Sequence, residues 1–170
     1  RAQVFGAEFE VRKNLGAIAP SLKNFSIGAN LTIVHSETDI QEDELTEIRA
    51  TDNDHADTRP MYGQSPYLLN AIGSYNNDSI GLRVSASFNI AGPQLVLITP
   101  GGTPDVYDLP RPTLDLTIGK DIGERFSINF KARNLLDPDY RKVYEYQGQE
   151  YTFQNFTRGR TYSLGFSYKI

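Results

Sequence analysis

The stretch from Arg160 to Ile170 constrains the fold of this chain more than any other. From Thr161 onward Tyr162, Leu164, Phe166, Tyr168 and Ile170 alternate with Thr161, Ser163, Gly165, Ser167 and Lys169. Side chains of a strand turn to opposite faces with a period of two, so this is a strand with one apolar face and one small or polar face. A soluble protein seldom leaves so apolar a strand as a bare edge, because an unpaired edge invites aggregation. A closed barrel in a membrane uses such a strand as its final stave.

The same period recurs along the chain. A first strand is predicted over about Ala2 to Arg12, with Phe5, Ala7, Phe9 and Val11 opposite Glu8, Glu10 and Arg12. Three charges in a row suit a hydrated lumen and suit the interior of a small soluble barrel poorly, since buried unpaired charge is costly. Further strands are predicted over about Phe25 to Ser36, Tyr67 to Tyr75, from Ile80 to Ile90, Thr113 to Lys120 and Phe126 to Leu135. Pro20 to Lys23 makes one helical turn and Glu42 to Ala50 a short helix. Asn76-Asn77-Asp78-Ser79 signals a turn, and Gln147-Gly148 the tip of a hairpin projecting from a long connection.

Seven strands result, and their connections alternate in length, long after the second, fourth and sixth and shorter after the others. Long loops at one end and tight turns at the other are expected of an outer-membrane barrel, with the long loops outside. The expected fold is therefore all-β, an antiparallel transmembrane β-barrel whose last strand ends on the periplasmic side. Bacterial single-chain barrels have an even strand number, so seven strands are read as the last part of a larger barrel spanning residues 1–170. The lack of a signal peptide before Arg1 points the same way, to a piece of a longer polypeptide.

A mean hydropathy of −0.44 excludes a transmembrane helix and leaves a barrel open. No cysteine is present, and a net charge of −4 offers no basic surface for nucleic acid. Glu8, Glu10, Arg12, Arg83, Asp115, Lys131, Arg133 and Lys169 are the lumen-facing polar set, read first as a hydrated ladder and second as contacts to a plug or substrate path. Asp52, Asp54 and Asp57 place oxygens at alternate positions, a weak Ca²⁺ pattern without the Gly and distal Glu of an EF-hand loop; a solvated acidic loop is the preferred reading. Tyr144, Tyr146, Tyr151, Phe153 and Phe156 in the last long connection are candidates for ligand stacking, with packing against one another the plainer role. Tyr67, Tyr75, Tyr162, Phe166 and Tyr168 suit an aromatic girdle. His35 and His55 form no pair, and no nucleophile–base arrangement or phosphate loop is present, so neither an enzyme nor a bound cofactor is expected.

The runs Arg59-Pro60-Met61-Tyr62-Gly63-Gln64-Ser65-Pro66-Tyr67-Leu68-Leu69-Asn70, Arg133-Asn134-Leu135-Leu136-Asp137 and Arg158-Gly159-Arg160-Thr161-Tyr162, followed by the aromatic terminal strand, resemble the C-terminal barrel of TonB-dependent outer-membrane receptors. The R-P-x-x-G-Q-S-P-Y run looks most like the Bacteroidetes branch, and the resemblance covers the whole chain. It implies a barrel of about 22 strands with a plugged lumen, of which these are the last seven, the plug and earlier strands lying outside this sequence. It implies energised uptake of a scarce ligand such as a siderophore, haem, cobalamin or a glycan across the bacterial outer membrane. The implied partners are lipid, the rest of the barrel and its plug, TonB with its inner-membrane motor, and the barrel-assembly machinery. The assembly signal would be Tyr162, Leu164, Phe166, Tyr168 and Ile170; the family usually ends in Phe, so Ile170 bears on insertion efficiency. A free-standing small outer-membrane barrel with a structural or adhesive role, and a soluble β-barrel ligand binder, are the alternatives.

Overall fold

Alternating β-branched and aromatic residues favour a pleated backbone, and more than half of the chain lies in such segments. The structure, a computed structural model, describes residues 1–169; the expected place of Ile170 on the apolar side lies outside the described residues. In chain order the elements are β1 (Ala2–Asn14), two 3₁₀ turns (Leu15–Ala17 and Pro20–Leu22), β2 (Phe25–Asp39) and α1 (Glu42–Arg49). There follow β3 (Thr58–Arg59), β4 (Tyr67–Asn77), β5 (Leu82–Ala91), β6 (Gln94–Leu97) and β7 (Val106–Asp108). The chain continues through β8 (Thr113–Ile122), β9 (Phe126–Arg133), β10 (Tyr140–Tyr146), β11 (Gln149–Phe156) and β12 (Thr161–Tyr168). Helix α1 has no side-chain N-cap; Glu42, Asp43 and Glu44 in its first turn and Arg49 in its last oppose the helix dipole.

Two sheets result, both antiparallel. The larger has the order β1-β2-β4-β5-β8-β9-β12, with β3 added at the end of β2. It is a meander of the seven predicted strands. The smaller has the order β11-β10-β7-β6. Its β7 was not legible as a strand, since three residues between Pro104 and Pro110 are too few to show a period.

Two sequence expectations need correction. Asn76 and Asn77 belong to β4, while Ile80 lies in the turn instead of opening β5. The reversal sits two residues later because Gly81, at φ +61°, takes the left-handed conformation that its neighbours disfavour, and its N–H donates to Asp78 O at 3.2 Å. The Asn77 side chain accepts from Ser79 N at 3.1 Å and closes the bend. Arg133, not Leu135, ends β9, because Asn134 has φ +56°.

Register decides which face each residue takes. Phe9 opposes Leu31, Leu31 opposes Leu69, Leu69 opposes Ile90, and Phe88 opposes Leu114. Further across, Ile118 opposes Phe130 and Phe130 opposes Leu164. Residues directly opposite in an antiparallel pair share a face, so, while Leu68 and Ile72 of β4 fall on the other face with Asn70, these apolar sets join one continuous surface. No second layer of the described chain packs on it. Phe9 is 61 % exposed and Phe166 62 % exposed. Each aromatic side chain carries roughly 150–250 Å². The open set from Phe5 across to Tyr168 therefore exceeds the about 300–600 Å² of the largest patch on a typical soluble monomer.

Most of the buried apolar residues lie elsewhere. Ile40, Leu95, Val106 and Val143 belong to the long connections or the smaller sheet, and Ala132 to the adjoining end of β9. The connections 40–66, 92–112 and 134–160 all emerge at this end, and 15–24, 78–81 and 123–125 at the other. The long connections thus fold into one packed layer instead of hanging as separate loops.

Candidate functional site

Arg59 organises that layer. It is 7 % exposed, and its guanidinium forks between Asp105, at 2.8 Å, and Glu44. Glu44 comes from α1 and Asp105 from the connection before β7, so one side chain ties the first long connection to the second. Asp105 also accepts from Thr99 N at 3.2 Å, and the Thr51 hydroxyl donates to Gly102 O at 3.4 Å. Burial would lower the Arg59 pKa, but the hydrogen bond to Glu44 and the charges of Asp105 and Glu44 outweigh it and raise the value.

Beside this cluster lies a cavity of about 400 Å³ lined by His55, Arg59, Asp105, Tyr107, Glu145, Tyr146 and Gln147 among others. Burial pushes the Tyr107 phenol above its ordinary value; the Asp105 charge adds to this and the Arg59 charge opposes it. A folded value above the unfolded one gives stability that is complete below the ordinary tyrosine pKa of about 10 and is lost as pH rises through the folded value. An alkaline absorbance titration is therefore expected to show a phenol ionising above the ordinary tyrosine range, and Tyr107→Phe to remove that step.

The β10–β11 hairpin supplies one wall. Its tip, Gln147 at φ +52° and Gly148 at φ +72°, matches the two left-handed residues of a type I′ turn, whose twist suits the strands. Tyr144 and Tyr151 stack at 5.4 Å between ring centroids, and Phe156 stacks on Tyr140 at 5.0 Å. Of the five predicted loop aromatics, packing within the hairpin thus engages Tyr144, Tyr151 and Phe156. Tyr146 reaches the cavity, and Phe153, 54 % exposed, sits unpaired opposite the bulge at Lys142/Val143.

Seven of the eight polar candidates share one face of the sheet by register, and Lys169 lies past the end of β12. Glu8, Glu10 and Arg12 pair with Thr32, Asn30 and Gly28, and Arg83 with Gly119. Lys131 pairs with Thr117, and Arg133 with Thr161. Asp115 pairs with Ser87 and accepts from Asn134 N at 2.9 Å, and Lys169 donates its backbone N–H to Arg125 O at 2.8 Å. Arg12 contacts Glu10 at 2.6 Å, and Asn30 hydrogen-bonds Glu8. Arg83 holds Asp121 through both nitrogens at 2.6 and 2.7 Å. A groove of about 750 Å³ opens on this face, lined by Glu10, Arg12, Asn30, Asn70, Ser74 and Asn89 among others.

Glycine opposite arginine has a steric reason. A Cβ on Gly119 would lie 3.1 Å from Asn129 Oδ1 and 3.5 Å from Arg83 Nε. Gly119→Val is expected to crowd the Asn129 side chain and to cost about 1 kcal/mol in a urea unfolding series. Gly165→Val, whose nearest neighbour would be Asn129 O at 3.9 Å, serves as the unaffected control.

The acidic triplet is not brought together as a metal site. Asp57 is engaged by Arg49, and among the described residues no three His, Cys, Asp or Glu side chains converge. His35 lies beside Phe5 with ring centroids 4.9 Å apart and its Nε2 3.1 Å from Glu37, while His55 sits in the cavity wall. Sequence reasoning missed Arg59, Glu44, Asp105 and Tyr107 as a unit, and also Tyr140, whose ring lies 4.4 Å from the Arg111 guanidinium and 4.3 Å from that of Arg158. Arg59 was visible only as part of a family-like run, and its partners lie on different connections. Comparisons with protein-family models, curated proteins and solved structures returned no match to this chain.

Proposed function

We propose that this chain is the C-terminal wall of a TonB-dependent outer-membrane receptor that takes up a scarce ligand. The observation that carries the reading is the seven-stranded meander with an uncovered apolar face and two unpaired edges, β1 and β12. Water does not tolerate that combination; lipid covers such a face, and closure by further strands satisfies such edges. The polar face, with its charge pairs and groove, then turns to a hydrated, plugged lumen, and the layer around Arg59 stands outside the membrane. The resemblance of the Arg59–Asn70, Arg133–Asp137 and Arg158–Tyr162 runs supplies the family and with it the transport role.

In this reading the chain breaks no bond in its ligand. Its wall contributes a path, and its outer layer contributes part of the first contact surface. Energy arrives through TonB acting on the plug.

The experiment uses full-length receptor in a Gram-negative host. Urea-resistant recovery in the outer-membrane fraction is expected, and uptake of one member of a panel of iron–siderophore, haem, cobalamin and oligosaccharide probes should fall to background when TonB is deleted. Uptake that is unchanged without TonB would sink the transport role. A purified chain that stays monomeric in detergent-free buffer would sink the membrane reading as well, in favour of a soluble binder.

A further inference from the structure

The smaller sheet repeats the larger one. The larger sheet ends in the order β5-β8-β9-β12, and the smaller runs β6-β7-β10-β11. Each member of the second set adjoins its counterpart in the chain: β6 follows β5, β7 precedes β8, β10 follows β9 and β11 precedes β12. Four neighbouring strands therefore break at one level and resume in the same lateral order. The breaks fall at Gly92-Pro93, at 109–112 with Pro110 and Pro112, at 134–139 and at 157–160. Proline cannot donate to a ladder, and with Pro138 in the third break it accounts for three of the four.

Hydrogen bonds cross the breaks between the same neighbours. Leu135 N donates to Leu114 O at 2.8 Å, and Leu109 N donates to Arg141 O at 2.9 Å. Asn134 Nδ2 donates to Gly159 O at 2.8 Å, and Arg160 Nε to Leu135 O at 2.9 Å. The wall thus stands in two tiers on common columns, and β11 is the upper part of the column that ends in β12.

Both members of that last column are open edges. Every residue of β11 and of β12 is exposed, and among the described residues β11 pairs only with β10 and β12 only with β9. At an antiparallel edge every second residue points its N–H and C=O away from its one partner, so each strand presents an unfilled row. The two rows follow one another along a single run of chain, with residues 157–160 between them.

We infer that β11 is a strand-docking edge, and that its occupant is the upward continuation of the strand that closes the barrel against β12. The inference rests on the barrel reading above. One extended segment antiparallel to β12 meets β11 next without changing direction, because β11 and β12 run the same way along one column. The partner is thus a β-segment of the same receptor, bound through main-chain hydrogen bonds, with Tyr151 and Phe153 available to pack against it. A ligand, a second receptor copy or another surface protein at this edge would be a different arrangement.

The test is amide hydrogen exchange on full-length receptor in lipid nanodiscs, read residue by residue through β11 and β12. Expected is slow exchange at consecutive residues of both strands, the outward amides being slowed about 100-fold or more over free ones. A photo-crosslinking phenylalanine analogue at Phe153 is expected to join the same polypeptide near the start of its barrel. Consecutive protection in β12 with only alternate protection in β11 would overturn the inference and leave the barrel standing. Alternate protection in β12 as well would overturn the barrel reading and the inference with it. Consecutive protection of β11 with a crosslink to another molecule would also overturn the inference.

Discussion

In the proposed barrel, Leu164→Arg is expected to destabilise the inserted protein by about 2–4 kcal/mol, the cost of a cation on a lipid-facing side near the bilayer midplane. Leu164 opposes Phe130 in the middle of β12, on the face that carries Tyr162, Phe166 and Tyr168. Ser167→Arg, three residues away on the other face and opposite Ser127, is expected to change stability by no more than about 0.5 kcal/mol. Its new charge would lie beside Asp121 and Glu124 in a hydrated groove. Urea unfolding of receptor in lipid vesicles, followed by loss of heat-modifiable migration, measures both. The pair tests orientation and not mere tolerance, because the substitutions are identical in kind and differ in face. Equal losses at the two positions would overturn the assignment of the apolar face to lipid.

Arg59→Ala is the second large effect. Removing one member of a buried ion cluster leaves the other charges without compensation, which costs about 3–5 kcal/mol where burial is complete. Glu44 and Asp105 keep some water, so the lower end, about 3 kcal/mol, is expected. The loss should be local. Arg59 joins α1 to the connection before β7, and these segments lie beyond the ends of the larger sheet. Hydrogen exchange should therefore accelerate through 42–60 and 99–108 while β12 is unchanged, and protease should cut in the first long connection. Arg59→Lys is expected to restore little, since an ammonium cannot fork between two carboxylates as a planar guanidinium does. If exchange in 42–60 stayed as in the parent, the cluster would not be what holds the outer layer together.

Much of this was legible beforehand, for a reason that particular residues show. A strand's period of two is local, so Phe5-Ala7-Phe9-Val11 against Glu8-Glu10-Arg12 declared both strand and faces without reference to anything distant. The departures occurred where one backbone conformation outweighed the pattern. Ile80 continued the alternation of β5 yet fell into the turn, because Gly81 took a positive φ. Strand β7 escaped notice because three residues cannot display a period, and it exists through pairing with β6 and β10.

The candidate site divides the same way. Alternation placed Glu8, Glu10, Arg12, Arg83, Asp115, Lys131 and Arg133 on one face, as the register does, but not who meets whom. Arg83 meets Asp121 across the sheet, a pairing no local pattern showed. The five loop aromatics were readable as a cluster, and only the register of β10 on β11 separated stacked pairs from the open Phe153.

What the sequence determined by itself is the all-β character, the two-faced strands and the long-and-short rhythm of the connections, since each depends on residues within a few positions of one another. Only the tertiary structure decided that the long connections form a second tier on the same columns, that Arg59 joins two of them, and that β11 continues the open edge of β12. Those outcomes depend on contacts between residues far apart in the chain, such as Arg59 with Asp105 and Val143 with Tyr107, and no local pattern encodes them.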